Sequence, residues 1–166
     1  AKVLEFPDGN ISKLRNEGVK EASSDIVVFI DSDIIVESDW LKNGMTILTD
    51  NQNICCVGGY IDIPPQSSWL ERTWHLRLEA LPDEACVSWI SSMNMFVRKD
   101  VFFRTGGFNE SLITSEDVDL CFKMRAFGKI LFTKKTKVIH LGEAKNLKHF
   151  FLKERWRGQS NLHGIL

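Results

Sequence analysis

The chain has 166 residues, 43% hydrophobic and 26% charged, with a formal net charge of −1. This is ordinary for a soluble globular protein with a real core. No stretch reaches the roughly 20 apolar residues that span a bilayer, and no basic-then-apolar leader opens the chain. Cys55, Cys56, Cys86 and Cys121 form no CxxC pair, which argues against zinc and for buried reduced thiols in a cytoplasmic protein.

In chain order, Ile11, Leu14, Val19 and Ala22 predict a helix over 11–22. "IVVFID" reads as a strand. Ser38 is the expected cap of a helix over 39–50. "ICCVGGYID" reads as a second buried strand, stopped by Pro64 and Pro65. "SSWLERTWHLRLEAL" is amphipathic, with Trp69, Leu70, Trp74 and Leu78 on or near one face. "ACVSWISSMNMFVRK" is extended, as two short strands. "DVFFRTGGF" reads as a short helix with a glycine stop. "SEDVDLCFKMRAFG" reads as a helix capped by Ser115 and ended by Gly128. "KILFT" and "KVIHL" are two short strands, and a basic amphipathic helix follows over about 144–157. Strands alternating with helices imply an α/β layered fold.

Charge is unevenly spread. From Lys123 onward lie eleven of the 21 Lys and Arg residues but only Glu143 and Glu154 of the 22 acids. A basic C-terminal third suits an anionic partner, whether a phosphate, a membrane surface or nucleic acid, and equally a solvated helix face.

The chemistry gathers at two acidic places. Asp31 and Asp33 follow five apolar residues, at the carboxyl end of a strand where α/β sheets collect ligands. Alternation puts both side chains on one side. Two close oxygen donors suit Mg²⁺ or Mn²⁺; a lone Asp there would more simply cap a turn. An EF-hand would need glycine where Val36 stands. The second place is Glu116 and Asp117, in a first helical turn whose positive dipole end favours ionised carboxylates. Such a carboxylate can take a proton from a hydroxyl, or simply complement the dipole.

The ordered set "NISKLRNEGVKEASSDIVVFIDSD", "SSMNMFVRKDVFFRTGGFNESLITSEDVDLCFKMRAFG" and "KVIHLGEAKN" resembles family 2 glycosyltransferases of the GT-A fold. Each motif is weak singly; the order is specific. The resemblance implies a single, partial GT-A domain over 1–166, a Rossmann-like layered fold with a mixed sheet. It implies inverting transfer of a sugar from a nucleotide-diphosphate sugar, with a UDP-sugar as the expected donor, to a hydroxyl of a glycan or lipid-linked acceptor. The setting would be cell-surface glycan or polysaccharide synthesis, with a divalent cofactor, Mn²⁺ or Mg²⁺, and no nucleic-acid partner. Asp33 would bind the metal, His140 would match a metal ligand of some members, and Asp31 would hold the donor's ribose or sugar. Asp117 would be the general base, Glu116 would orient hydroxyls, and Arg15 would lie near the diphosphate. Asn94, with Met93 and Met95, fits the strand beside the acceptor; the two methionines fit a core equally well.

The family domain opens with a strand-helix-strand unit that grips the nucleotide base, and nothing here matches it before "AKVLEFPDGN". The chain therefore reads as an N-terminally truncated catalytic half, inactive by itself, with a sheet edge open to self-association. The expected location is cytoplasmic, with the basic helix in peripheral contact with the inner face of the membrane. The competing readings are a non-catalytic sugar- or metal-binding remnant, and a phosphatase of the haloacid dehalogenase type, which also carries D-x-D after a strand.

Overall fold

The computed structural model describes residues 2–160. Helix α1 (Ile11–Glu21) leads into β1 (Ile26–Ile30), β2 (Ile34–Val36), α2 (Trp40–Asp50) and β3 (Ile54–Asp62). Then come α3 (Trp69–Glu79), β4 (Glu84–Val87), β5 (Asn94–Arg98) and α4 (Lys99–Arg104). The chain closes with α5 (Glu116–Met124), β6 (Lys129–His140) and α6 (Leu147–Arg157).

The sheet is mixed, in the order β1-β5-β3-β6-β2. Only β3 and β6 run parallel; the other pairs are antiparallel. Both β4 and β2 pair with the outer flank of β6, β4 along Ile130–Thr133 and β2 along Val138–His140. The carboxyl ends of β3 and β6 therefore lie side by side, with Asp62 opposite Ile139.

Alternation along the central strands builds two cores. One holds Val27, Phe29, Met95 and Val97 with Phe102, Phe108, Leu120 and Met124, and carries α1, α4 and α5. The other holds Val57, Phe96, Leu131 and Val138 with Trp40 and Leu48 of α2. At the free end of the sheet, a cavity of about 340 Å³ runs between α1 and β1, lined by Arg15, Val19 and the strand itself.

Several expectations change. "KILFT" and "KVIHL" are one strand of 12 residues. The polar tract between them is a bulge in that strand: β3 advances from Gly59 to Ile61 while β6 advances from Thr133 to Val138, and Lys135 N donates to Thr133 Oγ1 and Thr136 Oγ1 to the Thr133 carbonyl, both threonines being fully buried. Helix α2 starts after Asp39 rather than after a Ser38 cap. Ser115 does stand at the N-cap of α5, but with φ 64° and no capping bond from its side chain; a capping residue is normally extended. In α3, Ser68 and Glu71 form a reciprocal capping box, and Leu70, Glu71 and His75 face inward. Trp69 falls on the opposite side of the helix from that face and is 66% exposed. Cys86 is exposed, unlike the other three thiols.

Helix α6 buries none of its residues. Among its apolar side chains Phe150 packs on the body, edge-on to Trp74 at 5.3 Å, whereas Leu147, Phe151, Leu152 and Trp156 are all more than half exposed. Among the described residues no helix is long and apolar enough to cross a membrane.

Candidate active site

Strand β1 ends at Ile30, and Asp31-Ser32-Asp33 forms the link to β2. Asp31 meets Arg15, one turn into α1, whose Nη2 lies 3.1 Å from Asp31 Oδ1. The same guanidinium donates through Nη1 to Glu116 Oε1 at 2.7 Å. One arginine thus ties the end of β1 to the start of α5. Arg15 also lies over the Phe108 ring, 5.4 Å from its centroid.

Helix α1 is set for this by its own polar residues. Asn10 caps it, accepting from Lys13 N. Asn16, buried beside Val19, donates to the Phe108 carbonyl and to Glu110 Oε1 and accepts from Phe108 N. Asn16 lies in the first of the ordered motifs but is not among the expected site residues, yet it pins the loop that delivers α5. The signal was a polar residue on the inward face of an amphipathic helix.

Asp33 meets His140, the last residue of β6. Pairing of Ile34 with His140, and the bond from Leu141 N to the Asp33 carbonyl, hold the two segments together. His140 Nε2 lies 3.2 Å from Asp33 Oδ2, and Nδ1 lies 3.0 Å from Glu143 Oε1. The ring is 5% exposed, while Asp33 is 44% exposed. Burial by itself would lower the His140 pKa, but Glu143 and then Asp33 outweigh it and raise it. Burial likewise pushes Glu143 up; the bond to His140 and the charges of Lys153 and Arg157 bring it below its ordinary value.

These residues fit a divalent ion with few protein ligands. A Cβ on Gly142 would fall 2.1 Å from Asp33 Oδ2 and 2.9 Å from His140 Nε2, so glycine keeps the space between the two donors clear. Among the described residues no group of three or more His, Cys, Asp or Glu side chains is arranged as a metal cage. A carboxylate and an imidazole, completed by water and phosphate oxygens, is a set that Mg²⁺ or Mn²⁺ accepts.

Asp117 lies beside Glu116 in the first turn of α5. Its Oδ1 accepts from Val118 N at 2.8 Å and its Oδ2 from Ser92 N at 3.3 Å. Burial first, and the Glu116 charge second, raise its pKa; the two amides and Arg15 oppose them. A carboxylate that binds protons more tightly than usual is a better base, provided it stays ionised at the working pH.

Asn94 does not join this cluster. It is fully buried, its Oδ1 accepting from Trp40 Nε1 at 2.9 Å and its Nδ2 donating to the Thr136 carbonyl at 2.8 Å. The expectation that it meets the acceptor is corrected: both polar ends of its amide are already bonded within the protein. Met95 is core, and Met93 is half-buried.

The remaining groups connect to His140 from the α6 side. Arg157 of α6 reaches Glu143 at 4.0 Å, and its carbonyl accepts from Thr114 Oγ1, two residues before Glu116. Contacts thus run from Thr114 through Arg157, Glu143 and His140 to Asp33, and from Asp31 through Arg15 to Glu116. Sequence reasoning missed Glu143 and Arg157, because neither sits at a strand end or in a recognisable spacing.

Residues 2–159 match the family model described as "Glycosyltransferase like family 2". Among curated relatives, a "Pre-mycofactocin glycosyltransferase" of Mycobacterium tuberculosis is 26% identical over 122 residues, covering 69% of this chain and 26% of the relative. "Glycosyltransferase AglE" of Haloferax volcanii is 28% identical over 109 residues, covering 63% of this chain and 35% of the relative. Among solved structures, GalNAc-T7 with UDP, GalNAc and Mn²⁺ superposes with a TM-score of 0.62 at 16% identity, over 86% of this chain and 34% of that one. The chain thus spans 26% and 35% of the lengths of these two relatives.

Proposed function

The chain belongs to glycosyltransferase-like family 2 and has the GT-A fold, and on that premise we propose that it is the catalytic half of an inverting glycosyltransferase. The donor would be a nucleotide-diphosphate sugar, most simply a UDP-sugar, and the acceptor a hydroxyl on a glycan or lipid-linked sugar. The observation that carries the reading is the pair of hydrogen bonds that Arg15 donates, one to Asp31 and one to Glu116. It joins the carboxylates of the two motifs that the resemblance assigns to donor and acceptor. The shown family membership leaves the phosphatase reading without support.

Asp117 would take the proton of the acceptor hydroxyl as its oxygen attacks the anomeric carbon. The bond to the diphosphate breaks on the opposite face, which inverts that carbon. Glu116, held by Arg15, would orient the neighbouring hydroxyls, and Asp31 would hold the donor's ribose or sugar. Arg15, expected beside the diphosphate, has both Nη atoms on carboxylates; we assign it to positioning them. Asp33 and His140 would hold a divalent ion. Such an ion offsets charge on the departing diphosphate. The exposed apolar and basic surface of α6 supports peripheral contact with an anionic membrane, at the cytoplasmic face.

Calorimetric titration of the intact protein with Mn²⁺ and UDP tests the reading. UDP should bind only in the presence of metal, and Asp33→Asn should weaken Mn²⁺ binding without unfolding the protein. Asp31→Asn should harm UDP-sugar binding more than metal binding. Metal-independent UDP binding, with unchanged Mn²⁺ affinity in Asp33→Asn, would overturn it.

A further inference from the structure

We infer that Glu143 is a positioning residue, fixing the His140 ring so that Nε2 faces Asp33 with its lone pair, and that α6 anchors Glu143 through Lys153 and Arg157. The inference rests on the reading of Asp33 and His140 as the ion's protein ligands.

A neutral imidazole has one N–H. If Nε2 binds an ion, the proton must sit on Nδ1, where it needs an acceptor in a pocket that leaves the ring 5% exposed. Glu143 Oε1 supplies that acceptor at 3.0 Å. Without it, the ring could hold its proton on Nε2, or turn, and the donor would be lost. Partners on a ligand's second nitrogen orient the ring and raise its basicity.

The carboxylate is 13% exposed and is itself supported from α6. Arg157 Nη2 lies 4.0 Å from Glu143 Oε2, while its Nη1 bonds Glu154. The Lys153 ammonium donates to the carbonyl of Gly142, the residue that keeps the ion's space clear. Lys153 and Arg157 are four apart, so one face of α6 serves both. Arg157 also lies over the Trp74 ring, 5.7 Å from its centroid, while Phe150 packs against the same ring. A helix that buries none of its own residues is thus attached to the body at the loop behind the metal ligand.

The test measures Mn²⁺ affinity in the intact protein for the wild type, Glu143→Gln and Glu143→Leu, with Asp33→Asn and His140→Ala as controls. The ¹⁵N shifts of the His140 ring, recorded with Mg²⁺ to spare the signals, report which nitrogen bears the proton. Glu143→Gln keeps an acceptor and should lose roughly 10-fold in affinity; Glu143→Leu should lose roughly 100-fold. The Nδ1–H form should dominate in the wild type and decline in Glu143→Leu. Arg157→Met and Lys153→Met should each give a smaller loss of affinity. Wild-type affinity and an unchanged ring in Glu143→Leu would overturn the inference, even if its melting temperature falls. If the wild type and both controls bind Mn²⁺ alike, the ligand reading itself fails, and the inference with it.

Discussion

The indole of Trp40 donates to Asn94 Oδ1 across 2.9 Å, joining the first residue of α2 to the first residue of β5 inside the core. The other end of the Asn94 amide bonds the Thr136 carbonyl of β6, so one side chain ties three elements. Asn94→Ala should therefore act on stability. It leaves a buried N–H and a buried C=O without partners, at roughly 1–3 kcal/mol each. Urea denaturation should show the loss, while the acceptor KM of the surviving folded enzyme stays near wild type. A raised KM with unchanged stability would return Asn94 to the acceptor site.

Asp117→Asn should separate catalysis from stability. The amide is nearly isosteric and cannot take a proton, and general base catalysis is typically worth about 10²–10⁴-fold. Turnover should fall by that order while nucleotide-sugar binding persists. Because the folded-state pKa is raised, by burial and then by Glu116, Asp117 favours the fold below its unfolded pKa. That contribution disappears as pH rises through the folded pKa. The variant should melt higher than wild type at neutral pH, and the gap should close in acid. A gap that widens in acid would contradict the assigned direction.

Arg15→Met should destabilise the protein by leaving Glu116, only 12% exposed, as an uncompensated charge. Breaking one side of a buried pair costs about 3–5 kcal/mol at the upper end; Asp31, 38% exposed, adds little because water screens it. Adding Glu116→Gln should restore part of the stability. Transfer should stay impaired in both variants. Equal destabilisation in the single and double variants would show that the arginine acts through packing on Phe108.

Gly142→Ala should disturb the candidate metal site and little else. The new methyl would fall 2.1 Å from Asp33 Oδ2, which must move. Mn²⁺ affinity should drop well below wild type with a nearly unchanged melting curve. Unaltered Mn²⁺ binding would show that the space between Asp33 and His140 is not used.

Helix α6 should draw the protein to anionic vesicles through Leu147, Phe151, Leu152 and Trp156 with Lys145, Lys148 and Arg155. Binding should weaken as the Debye length falls from ~10 Å at 0.1 M salt to ~3 Å at 1 M. Reversing Lys145, Lys148 and Arg155 should abolish it without changing the melting temperature much; Lys153 and Arg157 are spared because they hold Gly142 and Glu143. Indifference to anionic vesicles at low salt would make the helix purely structural.

The acids of the candidate site were legible because local rules mark them. Asp31 and Asp33 follow a five-residue apolar strand, Glu116 and Asp117 open a helix, and His140 closes a strand. What escaped depends on long-range pairing. Asn94 is buried because β5 lies between β1 and β3, an order that periodicity does not carry. Thr133 and Thr136 read as a break because two buried hydroxyls bonded to backbone look, in sequence, like two hydroxyls in a loop. Glu143 acquires its role only when α6 folds back beside it.

Strand β1 has apolar contacts on both faces, Val27 and Phe29 on one and Ile26 and Val28 on the other, yet it stands last in the sheet order. Its outer row of amides and carbonyls is therefore a seam, apolar above and below and ready to accept another strand. Whoever expresses this chain by itself sets the behaviour of that seam by where the expressed segment is cut. Solubility should then vary with concentration and with what is left to cover β1, even among versions whose melting temperatures agree. Trimming for crystallisation is best judged by light scattering as well as by thermal unfolding.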